Sequence, residues 1–215
     1  MARFRNLTVT LALILSLVIL PTTSFATVNL ESVQALQSNG RTFCTAFSID
    51  EENGHWGTAA HCAAAALERG LDVTIAGQPA WIVHIAYPSA DVAVFQSQAK
   101  APAFKLAVKA VDACTEADPS DCELISIIGY PYGITRSRTY GHIAARAIPI
   151  VHPSTGYYMA SDILDITVAG GNSGSPVLNA KGEVIGVLWG GFNDSPHSLA
   201  VPLDATRRAF AGFAR

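Results

Sequence analysis

The segment "GGNSGSPVLN" at residues 170–179 places a serine among residues that tolerate unusual backbone angles. Gly, Asn and Ser are the usual turn formers, and the apolar run after them predicts a strand. A tight turn of this kind can expose the hydroxyl of Ser173 and direct the backbone amides of Gly171 and Ser173 to one point. Acyl transfer needs such a nucleophile together with donors for the developing oxyanion. Ser175 is the weaker candidate, because it precedes Pro176 and begins the strand.

A serine nucleophile also needs an imidazole base and a carboxylate that fixes the tautomer of that base. His61, in "GTAAHC", lies at the end of a predicted strand, directly before a cysteine whose disulfide would hold this corner rigid. Asp91 opens the apolar segment "DVAVF", where a buried acid must find a hydrogen-bond partner. Asp72, in "DVTI", is the alternative acid. Five other histidines are less favoured as the base, because they lie in strand-like runs or lack a comparable anchor: His55, His84, His142, His152 and His197.

Three motifs, in this chain order, resemble the trypsin/chymotrypsin-like serine peptidases. They are "TAAHC" with Cys44 upstream, "DVAVF", and "GNSGSP" near the C-terminus. The stretch "GGNSGSPVLNAKGEVIGVLWGG" looks particularly similar to the bacterial glutamyl endopeptidases. The resemblance implies a double β-barrel with a cleft between the barrels. It also implies Ser173 as nucleophile, His61 as general base and then acid, Asp91 as the residue that orients His61, and an oxyanion hole formed by the amides of Gly171 and Ser173.

The resemblance further implies a pocket for the side chain that precedes the scissile bond. We expect its walls to include Thr167, Val168, Leu188, Trp189, Gly190 and the segment 198–200. Trypsin-like enzymes carry an aspartate where this chain has Thr167. Glutamyl endopeptidases carry a threonine and a histidine where it has Val168 and Leu188. We therefore expect a small or medium uncharged substrate side chain, with His197 as an alternative partner for an acidic one.

Two further expectations follow from the resemblance. Segment 189–191 would bind the substrate backbone as an added strand. In zymogen-type relatives an aspartate before the serine pairs with the amino terminus that cleavage creates, whereas Asn172 is neutral here. We therefore expect an enzyme that is active once it has folded.

The elements that must position these residues are short, β-branched and separated by turn signals. Examples are "DVTIAG" (72–77), "AWIVHIAY" (80–87) and "TYGHIAARAIPI" (139–150). Such spacing predicts an all-β fold rather than βαβ units. We expect two six-stranded antiparallel β-barrels of the chymotrypsin-like type and a C-terminal helix. The predicted bounds are 27–105 for the N-terminal barrel and 106–215 for the C-terminal barrel with its helix.

Composition limits the class of protein. The chain has 215 residues, of which 50% are hydrophobic and 14% charged, so it is a core-rich globular protein rather than a disordered one. Its net charge of −3 and the lack of a basic run argue against a nucleic-acid partner. Two arginines, an apolar run over 7–20 and small residues up to Ala26 predict a signal peptide over 1–26. A membrane anchor is disfavoured, since a bilayer needs roughly 20 apolar residues. We expect a secreted or periplasmic protein that leaves the membrane after cleavage.

Four cysteines in an exported chain predict two disulfides. Of the three pairings, Cys44–Cys62 and Cys114–Cys122 are favoured because each joins segments close in sequence. A zinc site is a poor alternative, since neither C-x-x-C nor H-x-x-x-H spacing occurs. We expect no metal or organic cofactor, a polypeptide substrate and a monomer. The alternative function is a secreted non-catalytic binding protein on the same fold.

Overall fold

The structure is a computed structural model that describes residues 25–114, 122–192 and 194–214 of the chain. The predicted signal peptide over 1–26 thus lies almost entirely outside the described residues. Within these ranges, no helix is both long and apolar enough to cross a membrane.

The N-terminal half forms a closed barrel, as predicted. Its six strands are β1 (Val33–Ser38), β2 (Arg41–Asp50), β3 (His55–Thr58), β4 (Val73–Ile75), β5 (Gln78–Ile85) and β6 (Ala93–Ser97). They pair in the order β1-β2-β3-β6-β5-β4, and every pair is antiparallel. Helix α1 (Ala60–Glu68) begins two residues after the end of β3, so the residues that join them form one corner of the barrel.

The C-terminal half forms one antiparallel sheet of seven strands rather than six. They are β7 (Ile125–Gly129), β8 (Ser137–Gly141), β9 (Ile143–Val151), β10 (Tyr158–Leu164), β11 (Pro176–Leu178), β12 (Val184–Gly191) and β13 (Ser198–Pro202). Their order is β8-β7-β11-β12-β13-β10-β9. Closure of this sheet into a second barrel stays a prediction. Helix α2 (Leu203–Ala209) follows β13 and is shorter than the predicted C-terminal helix, because Phe210 ends it.

The extra strand arises inside the segment predicted as a single strand over 139–150. His142 separates β8 from β9, and its backbone N–H donates a hydrogen bond to the Asp165 carboxylate. The pairing partner changes there, since β8 pairs with β7 and β9 pairs with β10. The prediction of six strands in this half was wrong, because a one-residue break carries no turn signal in the sequence.

The two halves share one hydrophobic core. Phe47 of the barrel packs against Phe210, which follows α2, with ring centroids 5.8 Å apart. Val184, Val187 and Trp189 of β12 belong to the same buried cluster as the barrel residues. The base and nucleophile candidates therefore lie on halves that are packed together.

Candidate active site

His61 lies in the first turn of α1, immediately after the end of β3. The next residue, Cys62, forms a disulfide with Cys44 of β2, which confirms the predicted pairing. The second predicted disulfide, Cys114–Cys122, is also present. The first disulfide ties the helix that carries His61 to the barrel wall.

Asp91 is fully buried in the loop that precedes β6, and both of its oxygens face His61. Oδ1 accepts a hydrogen bond from the His61 backbone N–H at 2.8 Å, and Oδ2 lies 2.7 Å from Nδ1 of the His61 ring. A carboxylate only accepts, so Nδ1 carries the proton and Nε2 keeps a lone pair. This is the tautomer that a general base requires. The alternative acid, Asp72, is exposed.

A second imidazole contacts the same carboxylate. Nε2 of the buried His152 lies 3.0 Å from Oδ2 of Asp91, and its ring centroid is 4.9 Å from that of Trp189. His152 was among the histidines disfavoured for lack of an anchor, and the sequence gives no local signal of this contact. The partner lies 61 residues away along the chain and belongs to the other half of the fold.

The hydrogen bonds around Asp91 decide its charge. Burial acts to raise the pKa of this carboxyl, but hydrogen bonds from His152 and His61 outweigh it and hold the pKa well below its usual range. Asp91 is therefore ionised at neutral pH. Burial and the nearby Asp91 charge raise the pKa of the Tyr87 phenol above its ordinary value, so Tyr87 stays protonated.

Ser173 lies in a turn that is pressed against the barrel. Gly171 and Gly174, on either side of it, have φ of 96° and 86°, in the region that favours glycine. A Cβ on Gly174 would overlap the Thr58 hydroxyl and the Thr45 carbonyl oxygen. The Thr45 N–H donates to the Ser173 carbonyl oxygen at 2.8 Å. The predicted turn therefore has the expected backbone, and glycine permits its close approach to β2 and β3.

The same contacts bring Ser173 to the corner that holds His61. Its carbonyl oxygen lies 3.9 Å from Sγ of Cys62, the residue after His61. Among the described residues, no hydrogen bond joins the Ser173 hydroxyl to the His61 ring. Catalytic hydrogen bonds are often long without substrate and shorten when it binds.

Alternate backbone N–H groups of this turn donate hydrogen bonds to carbonyl oxygens of the chain. The Asn172 N–H donates to the Ala169 carbonyl at 3.1 Å, and the Gly174 N–H donates to the Leu188 carbonyl at 2.7 Å. The amides of Gly171 and Ser173, in contrast, donate to no acceptor in the described part of the chain. They are the two predicted oxyanion donors, and they are available to an acceptor in the cleft.

A cavity of about 340 Å³ opens beside Ser173. Its lining residues are Val168, Ala169, Gly170, Asn172, Ser173, Leu188, Gly190, Gly191 and Phe192. Three of the residues predicted for the specificity pocket are among them, namely Val168, Leu188 and Gly190. Thr167, Trp189 and the segment 198–200 are not, and the Trp189 ring packs against His152 instead. Phe192, which sequence reasoning missed, is partly exposed at the cavity.

One group of side chains has the spacing of a metal site. The ligand atoms of His61, Asp91 and His152 lie within 4.8 Å of one another. Hydrogen bonds explain this spacing, because Oδ2 of Asp91 accepts from both rings. The Ser154 N–H donates to Nδ1 of His152 at 3.3 Å, so the His152 proton is on Nε2, the nitrogen that a metal at this place would need. Cys44 and Cys62 also lie near His61, but their sulfurs are joined in a disulfide.

Comparison with known proteins identifies the family. The model of the trypsin-like peptidase domain matches residues 44–187, about two thirds of the chain. The chain belongs to this family. The serine turn and the His61–Asp91 pair both lie within the matched residues.

Solved structures share the fold. The Rv3671c protein of Mycobacterium tuberculosis, in an inactive mutant form, is 23% identical with a TM-score of 0.67, and the match covers 85% of this chain and 86% of that one. Deg5 is 24% identical with a TM-score of 0.62, over 83% of this chain and 86% of that one. The HtrA-type protease AlgW is 23% identical with a TM-score of 0.63, over 84% of this chain and 58% of that one. At this level of identity, the similarity shows the fold alone.

A curated relative gives a shorter match. Glutamyl endopeptidase of Staphylococcus aureus is 67% identical over 27 residues, which are 13% of this chain and 8% of the relative. The similarity to glutamyl endopeptidases is therefore confined to a short segment.

The disulfide beside His61 should matter for activity as well as stability. The Cys44→Ala/Cys62→Ala variant should lose about 3 kcal/mol of unfolding free energy, because its loop spans 18 residues. Its kcat/KM on peptides should also fall, because the His61 corner loosens. Urea denaturation and peptide turnover measure the two effects.

The matched control is Cys114→Ala/Cys122→Ala, whose loop spans 8 residues. This variant should lose about 2.5 kcal/mol of unfolding free energy. It should keep its kcat/KM under conditions where it is folded. Equal kcat/KM values for the two folded variants would contradict a positioning effect of the first disulfide.

Proposed function

We propose that this protein is a secreted serine endopeptidase that cleaves polypeptides through an acyl-enzyme on Ser173. One observation carries the proposal: the buried Asp91 carboxylate fixes His61 in the tautomer of a general base, at the corner where the Ser173 turn meets the barrel. The two donor amides beside Ser173 support the same conclusion, since they complete the set of groups that acyl transfer needs.

In the first step, Nε2 of His61 takes the proton of the Ser173 hydroxyl while Oγ attacks the carbonyl carbon of the scissile bond. The carbonyl oxygen becomes an oxyanion, which accepts hydrogen bonds from the amides of Gly171 and Ser173. Each such donor typically contributes about 10²–10³ in rate. Asp91 stabilises the His61 imidazolium, which then gives its proton to the leaving amine. Water hydrolyses the acyl-enzyme by the same steps, again with His61 as the base.

The end of β12 is placed to hold the substrate backbone. Gly190 and Gly191 pair with β13 on one side and line the cavity beside Ser173. A Cβ on Gly190 would meet no atom within 4 Å, so a peptide can approach this segment. We propose that segment 189–191 binds the substrate as an added strand.

The cavity beside Ser173 supports a preference for uncharged side chains before the scissile bond. Val168 contributes an apolar side chain to it, and none of the described residues that line it is charged. A buried carboxylate or ammonium without a partner is costly. His197, the alternative partner for an acidic side chain, does not line the cavity, and its Nδ1 lies 2.6 Å from the Ser195 hydroxyl. We infer that the specificity differs from that of glutamyl endopeptidases.

We also propose that the enzyme is exported and needs no zymogen cleavage. The sequence pattern of a signal peptide over 1–26 and the two disulfides favour an oxidising compartment. Asn172 is buried and neutral, so it needs no charged partner. Ala26, the last residue of the predicted signal peptide, lies at the turn between β11 and β12, where its N–H donates to the Ala180 carbonyl at 3.0 Å.

A fluorophosphonate probe tests the nucleophile. The folded, oxidised protein should be labelled, and Ser173→Ala should abolish labelling because the attacking oxygen is gone. Ser175→Ala is the matched control and should still be labelled. His61→Ala should reduce kcat of the folded protein by roughly 10⁴–10⁶.

Failure to label the folded wild-type protein would favour the non-catalytic binding protein. Labelling that survives in Ser173→Ala would show that the nucleophile is a different residue.

A peptide library with blocked termini, read by mass spectrometry, tests specificity. We expect internal cleavage after small or medium uncharged residues, because the pocket offers no counter-charge. The Val168→Thr/Leu188→His variant should raise the relative kcat/KM for glutamate, and Val168→Thr alone is its control. Cleavage by the wild-type enzyme mainly after Glu, Asp, Arg or Lys would contradict this pocket assignment.

A further inference from the structure

His152 makes a contact that the proposed reaction steps do not use. Oδ2 of Asp91 receives two N–H groups, one from His61 at 2.7 Å and one from His152 at 3.0 Å. Both Asp91 and His152 are buried, so water does not supply this second hydrogen bond. These two ring donors and the His61 backbone N–H, which come from both halves of the fold, fix the orientation of the Asp91 carboxylate.

The protonation of His152 follows from its neighbours. The Ser154 N–H points at Nδ1 at 3.3 Å, which makes Nδ1 an acceptor. In the neutral ring the proton is then on Nε2, where it faces Asp91. In this tautomer the ring donates to Asp91 and accepts from the backbone of its own loop.

The titratable groups that face His152 come from the β5–β6 loop and from α1. They are Asp91 at 3.0 Å, the Tyr87 hydroxyl at 3.5 Å, and the His61 ring, whose centroid is 6.3 Å away. Tyr87 keeps its proton, so Asp91 is the anion of this group. The remaining face of the His152 ring packs against the uncharged Trp189.

His152 belongs to the loop between β9 and β10, in the half of the fold opposite to Asp91. The loop is closed by its own hydrogen bonds, since the His152 N–H donates to the Tyr157 carbonyl at 2.9 Å and the Gly156 N–H donates to the His152 carbonyl at 2.8 Å. A rigid turn on the C-terminal sheet therefore presents an imidazole to the acid of the N-terminal barrel.

We propose that His152 is a positioning residue for catalysis: its Nε2–H holds the Asp91 carboxylate in the orientation that directs His61. The proposal rests on the proposed function, because it needs His61 to be the base. It makes turnover depend on the β9–β10 loop, although this loop contributes no group that touches the reacting atoms.

The test uses His152→Phe, which keeps an aromatic ring against Trp189 and removes the donor. We expect kcat to fall about 10- to 100-fold, the effect of one hydrogen bond to a charged group, with little change in KM. The acidic limb of the kcat/KM profile should also move to higher pH. Without the hydrogen bond from His152, the Asp91 charge stabilises the His61 imidazolium more strongly. The protonated, inactive form of the enzyme then persists to a higher pH.

Two further variants separate positioning from folding. His152→Gln places an amide N–H near the Nε2 position and should recover most of the lost kcat. Tyr158→Ser changes an exposed residue of the same hairpin and should leave kcat and the pH profile as in the wild type. All rates are divided by the concentration of active sites, measured by complete fluorophosphonate labelling.

The outcomes are distinct. A lower kcat per labelled site, a shifted acidic limb and recovery by Gln support the proposal. If His152→Phe lowers only the melting temperature or the labelled fraction, with kcat per site and the acidic limb unchanged, His152 is merely structural and the proposal is overturned. If the wild-type protein itself is neither labelled nor active, the proposed function fails, and this inference fails with it.

Discussion

The candidate active site depends on the hydrogen bonds that stabilise the charge of Asp91, a carboxylate with no exposure to solvent. A buried charge is stable only when hydrogen bonds replace the water it has lost. Here the replacements come from the His61 backbone, the His61 ring and the His152 ring. These groups lie on α1 and on the β9–β10 loop, so the barrel and the C-terminal sheet must pack correctly before Asp91 can remain ionised.

The same packing positions Ser173, the proposed nucleophile. The Ser173 turn comes from the C-terminal half, but its backbone bonds to Thr45 of the barrel. Gly174 allows this approach because any side chain there would overlap Thr45 and Thr58. The shared core around Phe47 and Phe210 packs the two halves together, and the disulfide from Cys62 to Cys44 fixes the His61 corner within the first half. Groups from both halves thus meet at one corner.

The sequence predicted those features whose cause is local. The turn around Ser173 and the acid before an apolar strand depend on neighbouring residues, and the disulfide next to His61 joins segments close in sequence. The closed first barrel, whose pairings include β1 with β4 and β3 with β6, was implied by the resemblance. The break at His142 and the role of His152 depend on partners far along the chain, Asp165 and Asp91. No periodicity or composition reports such pairings. For the same reason, sequence reasoning did not foresee that Phe192 would line the cavity while the Trp189 ring packs against His152.

The most direct measurement is a crystal structure of the oxidised protein after reaction with a peptidyl phosphonate. We expect a bond from phosphorus to Oγ of Ser173, with the phosphoryl oxygen about 3 Å from the amide nitrogens of Gly171 and Ser173. Nε2 of His61 should lie within hydrogen-bond distance of the phosphonate, while Asp91 keeps its hydrogen bond to Nδ1. A phosphonate bonded to another side chain, or a His61 ring too distant from Ser173 to transfer a proton, would contradict the account.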